Sequence, residues 1–199
     1  LQLTALLLIL FCGFLLRAAQ IREKYGDDIR LQGAALEYQM LAEHFVSPTN
    51  VPPPGNMPGF SVLLCGLYRV LPLSHSEIQV WVSVALSVMV IGLSYLAARQ
   101  VMAGSFALVL ACLVAVNRVL VENSPNGMPS EYSGVILLLL ILVYLRVLNR
   151  SKVGVQWYAL LGILGAFLFS IRSDAAAVLI PIVATTFLLE YRRGNFVGS

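Results

Sequence analysis

The amino-acid sequence predicts an all-α integral membrane protein: a polytopic helical bundle of about six spans, with a long extracytoplasmic first loop that carries an interfacial helix. Of its 199 residues, 59% are hydrophobic and only 12% are charged, and the mean hydropathy is +0.84. A water-soluble domain of this length could not bury so much apolar surface in one core. The solvent around most of the chain is therefore lipid, and the apolar residues are grouped in runs that suit a bilayer.

Six apolar segments are candidates for membrane spans, which need about 20 mostly apolar residues to cross about 30 Å of hydrocarbon. These segments are 3–16, 80–98, 101–121, 132–148, 153–171 and 175–189. The last is short, and it spans if the charged residues after it reach the headgroups. The run at 60–73 is too short and contains Arg69, which favours an interfacial or partly re-entrant helix. We expect residues 1–199 to form a single transmembrane domain that is part of a longer protein.

The positions of lysine and arginine predict which ends of the spans face the cytoplasm, because cytoplasmic loops carry an excess of them. The basic turns that would share the cytoplasmic side are 98–100, 146–152 and 192–193. The segments that then lie on the extracytoplasmic side are 17–79, 122–131 and 172–174. Basic residues within 17–79 oppose this assignment, but long translocated segments follow the rule poorly. We therefore expect a multi-pass membrane protein whose active face is extracytoplasmic.

The long outer segment contains a predicted interfacial helix. Between Gly33 and Val46, apolar and acidic side chains recur at helical spacing, which is typical of an amphipathic helix that lies along the membrane. The proline run at 52–54 excludes a regular helix and favours a stiff, extended connection. The chain then re-enters the membrane region at 57–60.

Composition and spacing disfavour several kinds of site. The net charge is only +3 and the basic residues are scattered, so nucleic acid is not an expected partner. The three cysteines lie in apolar stretches without metal-ligand spacing. His44 and His75 have no second ligand three or four residues away, so we expect no metal site there. Arg118 is expected to pair with Glu122 rather than to bind a ligand.

Four motifs, in order along the chain, resemble those of a known family. Residues 33–42, GAALEYQMLA, are similar to the pattern GDAxEYxxLA, and residues 56–60, NMPGF, are similar to RxPGYP. The sequences PSEY at 129–132 and SIR at 170–172 flank predicted spans. With a first span, a long outer loop and tight hairpins of spans, the chain resembles the amino-terminal portion of the GT-C membrane glycosyltransferases. That group includes protein O-mannosyltransferases and aminoarabinose transferases.

The resemblance implies transfer of a sugar from a polyprenyl-phosphate donor to an acceptor on the extracytoplasmic side. Neither the sugar nor the acceptor is specified by the sequence. In an inverting displacement, a base takes the acceptor proton while positive charge stabilises the departing phosphate. Some family members use a divalent cation and others use none, so the resemblance leaves the cofactor open. Membrane lipids are the other expected partners.

The residues that the resemblance would make catalytic differ in this chain. The family's aspartate, which the resemblance implies is the base, corresponds to Ala34, and the arginine of the second motif corresponds to Asn56. Asp27 and Asp28, in a loop that could fold over the site, are therefore the candidate catalytic residues. In an alternative alignment, Gly26-Asp27-Asp28 is itself the family's acidic motif. The structural alternative is that both aspartates are simply solvated.

The candidate substrate-binding residues are Glu37, Tyr38, Glu131 and Arg172. The resemblance implies that Glu37 and Glu131 line the outer cavity. The guanidinium of Arg172 could hold a lipid phosphate with two hydrogen bonds, or it could anchor the interface as the partner of Asp174. Glu131 could instead act with Ser130 to cap a helix.

Two other functions are compatible with the sequence. A non-catalytic lipid-binding membrane subunit, or a pseudo-enzyme of the same fold, would explain Ala34 directly. A small transporter is less favoured, because the sequence predicts neither acidic residues at mid-membrane nor broken spans in paired halves.

Overall fold

The computed structural model describes residues 2–26, 28–47, 58–149 and 153–192. Within these ranges the chain is all-helical and contains no strand, which confirms the predicted all-α class. The helices are α1 Gln2–Tyr25, α2 Ala34–Val46, α3 Pro58–Tyr68, α4 His75–Arg99, α5 Gly104–Val116, α6 Arg118–Asn123, α7 Ser130–Leu148, α8 Val155–Ile171 and α9 Ala176–Arg192. Short 3-10 turns lie at Ser124–Asn126 and Ser173–Ala175.

Three helices, α1, α4 and α7, are long and apolar enough to cross a membrane. The pair α5 and α6 would count as a fourth span if the two segments, which are bent by 49°, cross together. Helices α8 and α9 have 17 residues each, which is shorter than a typical span. The structure therefore supports a helical membrane protein, and the count of six spans stays a prediction.

The first helix extends further than the sequence predicted. We expected the first span to end at residue 16 and the outer loop to begin at Arg17, but α1 continues to Tyr25. The charged residues that follow Leu16 are compatible with a helix, because Arg, Glu and Lys are all strong helix formers. Arg17 consequently lies inside α1 rather than in a loop.

The span predicted at 101–121 is interrupted at Asn117. The backbone there has ψ of 115°, which ends α5, and the Asn117 side chain accepts a hydrogen bond from the Leu120 amide at 3.1 Å. Asparagine is a preferred N-cap residue, so it starts a new helix in a different direction. The expectation that broken spans are absent was therefore wrong for this segment.

Helix α4 begins earlier than predicted, at His75 instead of residue 80. Ser74 and Glu77 form a capping box: the Ser74 hydroxyl accepts from the Glu77 amide, and the Glu77 carboxylate accepts from the Ser74 amide. Such a box satisfies two amides that would otherwise be unpaired at a helix start. Helix α2, at Ala34–Val46, agrees with the helix predicted at 33–46, and α3 stops at Tyr68 where a helix to residue 73 was expected.

The helices run back and forth between two ends of the molecule. At one end, which we call the loop end, α1 finishes beside the 124–126 turn, where the Tyr25 hydroxyl donates to the Pro125 carbonyl at 3.0 Å. At the opposite end, Arg99 donates to the Gln2 side chain at 2.6 Å. Arg146 lies 5.0 Å from the centre of the Trp157 ring at that same end. The predicted outer segments therefore gather at the loop end, away from Arg99 and Arg146.

Helix α4 is the central helix and packs against α1, α5 and α7. On α5, three alanines spaced by four residues are fully or almost fully buried against Ile91 of α4: Ala107, Ala111 and Ala115. Small side chains at one-turn spacing allow helix backbones to approach closely. Helices α2 and α3 pack together over the α4–α7 pair through Phe60, Leu64 and Ala42. This arrangement places α2 as a cover at the loop end.

Candidate functional site at the loop end

The predicted acidic site is only partly described. Asp27 lies outside the described residues. Asp28 follows α1 and lines a cavity of about 640 Å³, which we call the Asp28 cavity. The other lining residues are Lys24, Tyr25, Arg30, Gln32, Ala35, Asn126 and Met128. The Asp28 carboxylate pairs with Arg30 at 2.7 Å, and both side chains are largely exposed, as the solvated alternative predicts.

A second, smaller cavity of about 220 Å³ lies where α7 begins and α8 ends. We call it the Arg172 cavity. Its lining combines Arg172, Asp174 and two serines with apolar side chains: Ser130, Ser133, Leu137, Leu168, Ala175 and Val178. It shares no lining residue with the Asp28 cavity.

Arg172 and Asp174 form a bidentate ion pair. Nε of Arg172 lies 3.0 Å from Oδ1 of Asp174, and Nη2 lies 2.7 Å from Oδ2. These hydrogen bonds lower the pKa of Asp174 and raise that of Arg172. The pairing with Asp174 that the sequence offered as a structural alternative is therefore present. Both side chains are exposed, at 51% and 65%, so solvent can compete for each.

Tyr38 approaches Arg172 from α2. Burial is the main reason that the pKa of Tyr38 is raised; the charge of Glu37 raises it further, and that of Arg172 opposes the rise. The Tyr38 ring meets Phe60 edge-on at 5.8 Å between centroids, and Phe60 lies 5.9 Å from Tyr132 of α7. This row of aromatic rings fixes Tyr38 relative to α3 and α7. Two of the four predicted substrate-binding residues, Tyr38 and Arg172, are thus brought together.

Glu131 turns towards the interior instead. Its side chain is 4% exposed and is not among the residues that line the two cavities. The Ser130 hydroxyl donates to Glu131 Oε2 at 2.8 Å. The N-cap of α7 is Pro129, which makes no side-chain cap, so Ser130 does not cap the helix. Glu131 does lie in the first turn, where a negative charge complements the helix dipole.

Arg17 is the charged residue that the sequence reading misplaced. It is 0% exposed, and its Nε donates to the Ser87 hydroxyl at 2.7 Å. Its Nη1 donates to the carbonyls of Gly13 at 3.0 Å and Ala115 at 3.1 Å. Ser83 and Ser87, one turn apart in the apolar run of α4, are the sequence signal that could have indicated a polar partner in that layer.

Gln79 is a second buried polar residue that the sequence did not single out. Its amide nitrogen donates to the Ala35 carbonyl at 2.8 Å and to the Gly127 carbonyl at 2.7 Å. The Tyr68 hydroxyl donates to its oxygen at 3.3 Å, and burial is the main reason that the pKa of Tyr68 is raised. One side chain of α4 therefore ties α2, α3 and the 124–129 turn together.

Histidine and surface pairs at the loop end involve few residues each. His75 Nδ1 lies 2.8 Å from Glu43 Oε1, and its ring stacks on Tyr68 at 4.1 Å. Among the residues that the structure describes, no three His, Cys, Asp or Glu side chains are grouped to hold a metal ion. Arg118 and Glu122 pair at 2.6 Å, which confirms the predicted i, i+4 contact.

A large apolar groove of about 670 Å³ runs between α7, α8 and α9. Its lining includes Leu140, Leu161, Gly165, Phe169, Leu179, Ile182, Val183 and Phe187. The groove abuts the Arg172 cavity, because consecutive residues line the two spaces. Leu168 and Val178 line the cavity, whereas Phe169 and Leu179 line the groove. A charged, exposed pair therefore stands at the head of an apolar channel.

Comparison of the chain with protein-family models and with curated proteins gives no match. The candidate site is accordingly defined by its own residues: Arg172, Asp174 and Tyr38 at the loop end, next to the apolar groove.

Proposed function

We propose that this chain is the membrane portion of a glycosyltransferase that moves a sugar from a polyprenyl-phosphate donor to an acceptor on the extracytoplasmic side. The observation that carries the proposal is the junction of the Arg172 cavity with the apolar groove. An amphiphile with one anionic group and a long apolar chain matches both spaces at once. The transfer of sugar rests on the motif resemblance, and the lipid phosphate rests on this junction.

The Arg172 guanidinium is suited to a phosphate. It already makes two parallel hydrogen bonds to a carboxylate, and this fork geometry fits a phosphate equally well. Its present partner, Asp174, is an exposed side chain two residues away, and exposed pairs of this kind contribute little to stability. A lipid phosphate therefore exchanges with Asp174 at low cost.

The distribution of basic residues supports an extracytoplasmic loop end. Arg99 and Arg146 lie together at the opposite end. Arg192 ends α9, and α9 returns towards that end because Glu190 and Tyr158, near the start of α8, line the same groove. Basic residues near span ends favour the cytoplasmic side. The donor would then reach Arg172 sideways from the outer half of the bilayer.

The base for acceptor activation would be Asp28 or Asp27, as the sequence suggests. Asp28 lies in its own cavity, and its ion pair with Arg30 has to open before it accepts a proton. Helix α2 connects the two cavities: Ala35 lines the Asp28 cavity, and Tyr38, one turn later, approaches Arg172. Positions three apart on a helix are neighbours, so α2 provides the short path between base and donor.

A non-catalytic subunit that binds polyprenyl phosphate is the second candidate. One specific observation favours it: the Asp28 cavity and the Arg172 cavity share no lining residue. Ala34, in place of the family's aspartate, points the same way. In this case the Arg172 cavity and the groove would bind lipid without chemistry.

A sugar-release assay separates the two candidates. The purified protein in lipid nanodiscs is incubated with radiolabelled polyprenyl-phosphate sugars, and sugar released to water is measured. Release that is lost in the Asp27→Asn, Asp28→Asn double variant supports a transferase with a relocated base. Release that occurs only in Ala34→Asp supports a disabled enzyme. No release from any variant contradicts the transferase.

A binding assay tests the lipid phosphate itself. Polyprenyl phosphate and the uncharged polyprenol are compared on the wild type and on Arg172→Gln. Loss of a charge-assisted hydrogen bond should weaken phosphate binding by about tenfold and leave polyprenol binding unchanged. Arg118→Gln is the matched control, because it removes an arginine from another exposed ion pair. Equal losses in the two variants, or no loss in either, would place the phosphate elsewhere.

A further inference from the structure

Arg17 is a charged group in the interior of a helix long enough to span the membrane. It is 0% exposed and lies two turns before the end of α1 at Tyr25. A charge at such a position is costly unless partners surround it, and buried charges in spans are therefore seldom incidental. The partners of Arg17 decide what it does.

One of its partners is created by the break at Asn117. In a continuous helix, the carbonyl of Ala115 would accept a hydrogen bond from the amide four residues later. The chain leaves helical geometry at Asn117, and α6 begins afresh at Arg118. Arg17 Nη1 donates to the Ala115 carbonyl at 3.1 Å. The guanidinium therefore takes the place of a hydrogen bond that the bend removes.

The second partner is the charge of Glu131 on α7. Arg17 spends its hydrogen bonds on Ser87 and two carbonyls, and Glu131 acts on it through electrostatic attraction. Its Nη2 is buried without a hydrogen-bond partner among the described residues. Glu131 is itself buried and accepts from Ser130, which lines the Arg172 cavity. A polar connection thus leads from the bend in α5–α6 to the candidate site.

We infer that Arg17 and Glu131 are a buried charge couple that holds the α5–α6 bend and the start of α7 in fixed relation, with Arg17 as a positioning residue. Each charge compensates the other inside the bundle, and the backbone carbonyl at Ala115 fixes where the guanidinium lies. The inference concerns the protein without ligand, so it does not depend on the proposed function.

A double-mutant cycle tests the couple. Melting temperatures in detergent are measured for the wild type, Arg17→Met, Glu131→Gln and the double variant. Removing one member of a buried pair leaves the other charge uncompensated, so we expect each single variant to melt about 10 °C lower. The double variant should melt higher than Arg17→Met, because no buried charge is left. A purely steric role for Arg17 gives no such rescue.

Arg99→Met is the matched control, because Arg99 also donates to a partner on another helix but lies at the opposite end. Its effect should add to that of Glu131→Gln without rescue. Additive losses for Arg17→Met and Glu131→Gln would overturn the inference. If Arg17→Met does not accumulate as folded protein, accumulation of the double variant becomes the readout, and its failure alongside a stable Arg17→Lys variant also overturns it.

Discussion

Charge is handled in opposite ways around Arg17, in the interior, and around Arg172, at the loop end. Arg17 is fully buried and bonds to Ser87 and the Ala115 carbonyl, which lie 70 and 98 residues away in sequence. Arg172 is exposed, and its partner Asp174 is two residues away. The interior bonds therefore join separate helices, whereas the surface pair joins only neighbours along the chain.

The same contrast holds for the other polar groups at each place. Gln79, which is buried, reaches carbonyls 44 and 48 residues away. The exposed pair of Asp28 with Arg30 spans two residues. Long-range bonds in the interior fix the architecture, and local pairs at the surface leave their charges available for exchange with a ligand. We expect substitutions in the interior to change stability and substitutions at the surface to change binding.

Gln79→Leu should give the largest effect among the tests of this contrast. It leaves the buried carbonyls of Ala35 and Gly127 and the Tyr68 hydroxyl without their partner, at a cost of about 3 kcal/mol in the free energy of unfolding. Denaturation in mild detergent measures this cost. Gln20→Leu is the control, because Gln20 bonds only to Glu23 at the surface. A loss of similar size in the control would remove the distinction between interior and surface.

Gly59→Ala should cost somewhat less, about 1–3 kcal/mol. A methyl group at Gly59 would lie 2.6 Å from the Ser170 hydroxyl and 2.9 Å from a side-chain carbon of Ile171. Helix α3 would have to move away from α8, next to Arg172, so weaker lipid-phosphate binding should accompany the lower stability. Gly66→Ala on the same helix is the control, because nothing lies within 4 Å of its added methyl group. Equal stability of the two variants would contradict the close contact.

Asp174→Asn should leave stability unchanged and alter binding. The substitution frees the Arg172 guanidinium from its carboxylate, so polyprenyl phosphate should bind roughly threefold more tightly, as expected for loss of a weak exposed pair. Glu122→Gln frees Arg118 in the same way and should have no effect. Weaker binding in Asp174→Asn would show that Asp174 itself holds the ligand.

The pH dependence of that difference is the smallest expected effect. Because Arg172 lowers the pKa of Asp174 below its ordinary value of 3.8, the carboxylate stays ionised between pH 5 and 8. Its competition for Arg172 exists above that lowered pKa and is lost as the pH falls through it. The ratio of affinities between Asp174→Asn and the wild type should therefore stay constant from pH 8 to pH 5. A ratio that changes with pH in this range would assign the effect to another group.

Local patterns predicted much of this structure, and the errors occurred where distant residues decide. The amphipathic pattern of α2 and the pairing of Arg118 with Glu122 depend on neighbours in sequence, and both were predicted. A hydropathy pattern treats Arg17 as the end of a span, because it cannot see that α4 and α5 supply partners. It also passes over Asn117, since the apolar run resumes directly after Arg118.

The Arg172 cavity followed from motif order only in part. Tyr38 and Arg172 were predicted as site residues, and the structure brings them together. Glu131 was expected to face the outer cavity, but burial against the interior turns it away. Their relative positions depend on how α2 and α3 cross the α4–α7 pair, which the sequence pattern does not specify.

Helix length gives the two halves of the bundle different thicknesses. Helix α4 has 25 residues, and α8 and α9 have 17 each. At about 1.5 Å per residue these lengths are about 37 Å and 25 Å, against a hydrocarbon layer of about 30 Å. If α8 and α9 cross the bilayer, the lipid beside them has to thin by several ångströms. Headgroups would then sink towards the groove on that side alone, so the protein would shape its membrane to deliver polar groups beside Arg172.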